Sequence, residues 1–389
     1  MIKIISVYKN KETDKDRNFG IFNPVDMSNG RWVKISEALS RLGYHIDIAV
    51  PDTIITNNYN GNDHLRMIPL SRIDWNEYDV VKTEFHGGFD TLEKYGGASH
   101  PFIISKLGSV VGSTVMEGIY FYGEVHKNLY ETQQKINKVS KYITVLSKPA
   151  KKLWKEVHGR TENLLLVPGG VDAEIPAPSE NPYPYGEKIR CIFAGNVYTN
   201  NSQPEANEVI VNKLNILGKL LSRYGARLYM IGPGDIFNLD PDYVSYMGVI
   251  PYDKCWDYFY FANVGIVVSA GKFMHNNEST KIYHYLRAGL PVVSESGFPN
   301  DNVVEEAKLG FVTENEDMEL MARSVIKAAK KSWNKEYAVN YILRNHTWDK
   351  RVKVYYKILK ENFPSKGRRL YRISSNKKKL FSEKQSATF

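Results

Sequence analysis

Cysteine is almost missing from this chain: Cys191 and Cys255 are the two in 389 residues. Two thiols so far apart form neither a disulfide framework nor a metal-ligand spacing, which points to a reducing compartment such as the cytosol. Long apolar runs are missing too. No window approaches the roughly 18 apolar residues of a membrane span, and the opening IKIISVY is too short for a signal peptide. The body also lacks a strong charge of either sign. The net charge is +9, but Ser365–Phe389 holds eight Lys and Arg against one Glu, so the tail carries +7 and the rest about +2. A near-neutral body argues against a nucleic-acid groove, while a basic tail suits an anionic surface.

What is present is an ordinary soluble balance, with 42% hydrophobic and 24% charged residues, and an abundance of Tyr, 26 in all. IKIISVY, YHIDIAV, VVKTEF, PFIIS and YITVLS read as strands. WVKISEALSRLG and PAKKLWKEVHG, amphipathic and ending in glycine, read as helices. Such alternation predicts a parallel sheet covered on both faces. EIPAPSENPYPYGEK, with four prolines, reads as an extended linker over 174–188. A second series follows: IRCIFAGNV, a helix from Glu205 to Arg223, ARLYMIGPG, VSYMGVI, DKCWDYFYFA and VGIVVSA. The expected architecture is α/β, two Rossmann-like domains facing each other across a cleft, with a C-terminal helix region and a basic tail. The domains are 1–173, the 174–188 linker, 189–363, and a tail at 364–389. Ligands of open α/β sheets bind at the carboxyl edges of the strands.

In STKIYHYLRAGLPVVSES, Ser279–Ser296, Ile282 and Leu286 stand four apart, Gly289 supplies a helix end and Pro291 opens a strand. NLLLVPGGVDAEIP, 163–176, is a strand running into a Pro-Gly-Gly turn and Asp172. Together with RLYMIGPGD, MGVIPYDKCWDYFYFANVGIVVS and HTWDKRVKVYYKIL, these segments resemble, in order over about 140–360, the GT-B glycosyltransferases of the glycogen- and sucrose-synthase group. The first 130 residues match only in strand–helix order, as expected of the half that meets the acceptor. The resemblance implies a nucleotide-diphosphate-sugar donor. A diphosphate suits a helix N-terminus, whose N–H groups and dipole each favour negative charge by roughly 0.3–1 kcal/mol. Ser279 and Thr280 add hydroxyls and Lys281 a full charge. Gly195 and Asn196 end the first strand of the second series, where backbone comes close to phosphate. Glu278, His284 and, in the first long loop, Gly20 complete the expected donor-binding set.

The chain departs from that group in two places. The retaining pattern has two glutamates eight positions apart, where Asn276 and His284 stand here, and GNVYTNNSQPEANE has no basic residue. Lys281 followed three positions later by a neutral polar group instead resembles the xanthan-pathway β-glucuronosyltransferase, a membrane-associated inverting enzyme. An inverting enzyme needs a base in the first domain to take the acceptor hydroxyl's proton. TEFHGGFD offers Glu84, His86 and Asp90, and GSTVMEGIYFYGE offers Glu117 and Glu124. The expected catalytic residues are His86 and Glu117. A metal at His275, Glu278 and His284 is not expected, nor is a cofactor.

The sequence thus predicts a metal-independent glycosyltransferase using a nucleotide sugar, a UDP-sugar first. Its acceptor would be a glycan or lipid-linked glycan, with the protein cytoplasmic and the tail peripheral at the membrane face. The rivals are a glycosyltransferase modifying DNA bases, a binding protein of the same fold without turnover, and a nucleotide-sugar epimerase.

Overall fold

The computed structural model describes residues 1–7, 31–52, 63–114, 123–184, 186, 189–198, 204–271 and 276–364. Gly20, Glu117 and the tail from Ser365 onward lie outside the described residues.

Two parallel sheets organise the chain. The first has seven strands, β1 (Lys3–Val7), β2 (His45–Val50), β3 (Leu65–Pro69), β4 (Val80–Glu84), β5 (Ile103–Lys106), β6 (Tyr142–Val145) and β7 (Leu164–Leu166), in the order β3-β2-β1-β4-β5-β6-β7. The second has six, β8 (Ile189–Ala194), β9 (Ala226–Ile231), β10 (Val244–Tyr246), β11 (Val264–Val267), β12 (Val292–Glu295) and β13 (Gly310–Thr313), in the order β10-β9-β8-β11-β12-β13. In both, the direction of strand addition reverses beside the first strand, between β1 and β4 and between β8 and β11. Crevices open at the carboxyl ends of such switch points.

The sequence explains these elements locally. Every residue of β4, VVKTE, is buried, as a strand covered on both faces demands. Helices α1 (Arg31–Arg41), α2 (Phe85–Lys94), α3 (Gly123–Val139) and α4 (Lys148–His158) accompany the first sheet. α4 shows its signals plainly. Ser147 Oγ accepts from Ala150 N–H at 3.1 Å, a proline occupies the first turn, and Gly159 at φ +66° closes the helix on Lys155 O. Along the second sheet run α5 (Pro204–Ser222), α6 (Tyr252–Phe261), α7 (Thr280–Arg287), α8 (Asn302–Glu306), α9 (Met318–Lys330) and α10 (Lys335–Asn345). α7 buries Ile282, Tyr283, Tyr285 and Leu286, and Gly289 at φ +70° ends it as the sequence predicts.

Two readings differ. HGGFD, whose paired glycines after β4 suggest a loop, is the start of α2: Phe89 and Leu92 bury one face, which outweighs the poor helix propensity of Gly87 and Gly88. The last helices, α11 (Trp348–Arg351) and α12 (Lys353–Asn362), were assigned with 189–363 to the second domain. Instead Trp348, Val352, Tyr355, Ile358 and Leu359 join the apolar cluster of the first sheet, with Ile2, Val33, Tyr44 and Phe102. The chain crosses back because that apolar helix face covers surface the first half leaves open.

Candidate active site between the two sheets

Segment 276–281, leading into α7, meets the carboxyl edge of the first sheet. Asn277 Nδ2 donates to Ser109 Oγ at 2.8 Å, and Ser147 Oγ donates to the carbonyl of Asn276 at 2.7 Å. Gly169, in the turn after β7, donates its N–H to Glu278 Oε2, while Tyr283 OH donates to Oε1 at 2.9 Å. Both oxygens of Glu278 are therefore engaged, Oε2 across to the turn after β7 and Oε1 by α7 itself. Burial raises its carboxyl pKa.

Ser279 precedes the helix without capping it. Its N–H and carbonyl bond the Asn300 side chain at 2.9 Å each, and its buried Oγ has no hydrogen-bond partner among the described residues. Thr280, exposed, opens the first turn. Lys281 folds back on the exit of β8: a Cβ added at Gly195 would lie 2.4 Å from its Cε and 2.8 Å from its Nζ. The amine sits 4.9 Å from the centre of the Phe193 ring, and no carboxylate pairs with it among the described residues. Burial lowers its pKa to about 8, which leaves it charged at neutral pH. Asn196 is spent locally, its Oδ1 accepting from Tyr198 N–H at 2.6 Å. Gly195, Lys281 and the uncapped start of α7 thus converge where β8 ends, and together they offer a backbone approach, one full positive charge and free donors to an anion.

His284, one turn further, is bonded to other groups. Its Nδ1 bonds the Thr280 carbonyl at 2.8 Å, and its Nε2 lies 3.2 Å from Tyr252 OH. Tyr252 OH in turn reaches Asp172 Oδ2 at 3.1 Å, which pairs with Lys34 Nζ at 2.9 Å. This chain of polar groups links α7, α6, the turn after β7 and α1. Burial lowers the pKa of His284. Tyr252→Phe is expected to cost about 1–2 kcal/mol, because Asp172 and His284 each lose a partner in a sheltered place. Urea unfolding checks it, and an unchanged midpoint would mean that the chain of bonds contributes nothing.

On the first-sheet side, His86 Nε2 accepts from Gln133 Nε2 at 2.9 Å, and Gln133 also donates to the Ser109 carbonyl at 3.3 Å. Ser109 is the residue that meets Asn277, so three hydrogen bonds lead from His86 to the segment before α7. Burial, aided by Lys106, lowers the His86 pKa to about 4, so the ring is neutral at pH 7. The structure brings together Gly195, Ser279 and Lys281, with Glu278 and His284 on the flanks and His86 across the divide. Sequence reasoning passed over Lys34, Tyr252 and the two strand lysines Lys82 and Lys106. Among the described residues no group of three or more His, Cys, Asp or Glu is placed to hold a metal ion, and no helix is long and apolar enough to cross a membrane.

Residues 210–338 match the family model described as Glucosyltransferase 3-like, C-terminal domain. No curated protein matches the chain. Among solved structures, sucrose-phosphate synthase from Thermosynechococcus elongatus is 12% identical with a TM-score of 0.63, covering 94% of this chain and 100% of its own. The Anabaena protein HepE, in complex with UDP and glucose, is 11% identical with a TM-score of 0.65, covering 93% and 100%. A UDP-forming α,α-trehalose-phosphate synthase from Burkholderia vietnamiensis is 10% identical with a TM-score of 0.63, covering 92% and 97%. The structural likeness gives the fold, which is that of the GT-B glycosyltransferases, and residues 210–338 match a glucosyltransferase 3-like C-terminal domain.

Proposed function

We propose that the protein transfers a sugar from a nucleotide-diphosphate sugar, a UDP-sugar first, to a glycan or lipid-linked acceptor without a metal ion. The observation that carries this reading is Lys281: an amine without a carboxylate, packed on Gly195 at the carboxyl edge of the second sheet, beside an uncapped helix start. Its charge and the helix N–H groups supply what a diphosphate leaving group needs as negative charge develops on it, the part a cation plays elsewhere. That HepE was solved with UDP and glucose supports uridine as the base to try first.

The first sheet is the acceptor half in this reading, and His86 is the base. Its Nε2 lone pair is held by the Gln133 amide, so accepting a proton there requires the acceptor hydroxyl to displace Gln133. The basic tail would hold the enzyme near an anionic membrane, each Lys or Arg contributing about 1 kcal/mol at such a surface.

The test is thermal unfolding with UDP, GDP, ADP and UDP-sugars, each in the presence of EDTA. One nucleotide should raise the midpoint, with the chelator making no difference. No shift from any nucleotide would sink the donor reading. A shift abolished by EDTA would sink the metal-free form of it.

A further inference from the structure

The carboxyl edge of the first sheet holds buried cations that no part of the donor site uses. Glu84 on β4 and Lys106 on β5 are register partners, side by side on adjacent strands, and both are almost wholly buried. They do not pair. Glu84 Oε1 is taken by Lys82, two residues earlier on its own strand, and Glu84 Oε2 has no hydrogen-bond partner among the described residues. Lys106 Nζ lies instead 3.5 Å from the centre of the Phe85 ring, buried, with no hydrogen bond of its own among the described residues. Phe85 itself holds a left-handed φ of +58°, a strained choice for an aromatic residue. Arg31, at the start of α1, is near enough to act on Lys82, Lys106 and Glu278 electrostatically. It binds the Val167 and Pro168 carbonyls, and its Nε has no hydrogen-bond partner among the described residues.

An unpaired buried amine next to two further cations is costly, and stability alone gives no reason to keep it. Burial first, and then repulsion from Arg31 and Lys82, presses Lys106 towards its neutral form, and an anion arriving beside it would reverse that. We infer that Lys106, Arg31 and Glu84 form a binding site for an acceptor sugar bearing an anionic group, a phosphate or a carboxylate. Lys106 and Arg31 take the anion, and Glu84 Oε2 accepts from a sugar hydroxyl. The site lies at the switch-point edge of the first sheet, across from Glu278. In this structure its polar atoms are closed off from solvent, so binding requires the two sheets to part. The bonds described as joining them through 276–278 are three, to Ser147, Ser109 and Gly169.

This inference rests on the first sheet being the acceptor half, and its test is arranged to fail separately from the donor reading. Glucose 6-phosphate, glucuronate, inorganic phosphate and glucose are titrated calorimetrically into the full-length wild type and Lys106→Met. Methionine keeps the volume and removes the charge, a change that buried ionic sites often tolerate. The wild type should bind glucose 6-phosphate or glucuronate at least about tenfold more tightly than glucose, and Lys106→Met should lose that preference. Which of the two sugars binds identifies the anion. Nucleotide binding in Lys106→Met should match the wild type, so a failed donor reading shows itself independently. Equal binding of glucose and the charged sugars by the wild type would overturn the inference, whatever the variant does. So would an unchanged preference in Lys106→Met, or inorganic phosphate binding as tightly as either sugar.

Discussion

Lys281→Met should weaken nucleotide-diphosphate binding about 10- to 100-fold while leaving the unliganded protein as stable as the wild type or more so. The two halves of that expectation have one cause. The amine is held against Gly195 and Phe193 with no carboxylate beside it, and burial alone lowers its pKa to about 8. A lysine whose folded pKa lies below its unfolded value of 10.5 costs stability while it stays charged. The cost is fully present below pH 8 and is relieved as pH rises towards 10.5. Methionine removes the cost but also the charge that a diphosphate would meet. Loss of stability together with loss of binding would mean that Lys281 is a packing residue.

The same pKa sets a pH dependence for the donor. Below about pH 8 the free enzyme already carries the proton, and affinity should be flat. Above it the site must take up a proton to bind, so affinity should fall by up to about tenfold per pH unit until the bound-state pKa is passed. Isothermal titration from pH 6.5 to 9.5 would show the break, on the order of one proton taken up per nucleotide on its alkaline side. A profile flat across that range would place the phosphates away from Lys281.

Which parts of this site were legible in the sequence follows from how far apart their partners lie. The helix start at Ser279, the stop at Gly289 and the strand Val292–Glu295 are local signals, and all are where the sequence puts them. Lys281 and Gly195 were each singled out, but their contact joins residues that only β8 and α7 bring together. Lys82 and Lys106 were illegible for a different reason. A lysine inside VVKTEF or FIISK carries no local sign of where its amine ends, and in a sheet covered on both faces both side chains are buried. The return of α12 to the first sheet carried a clear amphipathic pattern, yet such a pattern names a buried face without naming what buries it.

Gly232→Ala should be among the most damaging single methyls in the second half. Gly232 follows β9 at φ +127°, which L side chains rarely adopt, and a Cβ there would fall 2.4 Å from the Gly195 carbonyl oxygen and 2.8 Å from its carbon. The obstacle is backbone, so no rotamer change relieves it. Two bonds hold the exits together: Gly195 N–H to the Ile231 carbonyl at 2.9 Å, and Gly232 N–H to the Gly248 carbonyl at 2.9 Å. Room for the methyl would have to come from moving Gly195 away from β9, and Gly195 is the residue against which Lys281 packs. A loss of about 3 kcal/mol or more is expected, with nucleotide binding lost in whatever remains folded. Gly225→Ala is the control, because Gly225 also has positive φ, +69°, but nothing lies within 4 Å of its added Cβ. It should cost about 1 kcal/mol, the backbone strain alone, and bind nucleotide normally. If the two variants unfold at the same urea concentration, the close approach of β8 and β9 is not what shapes the phosphate end of the cleft.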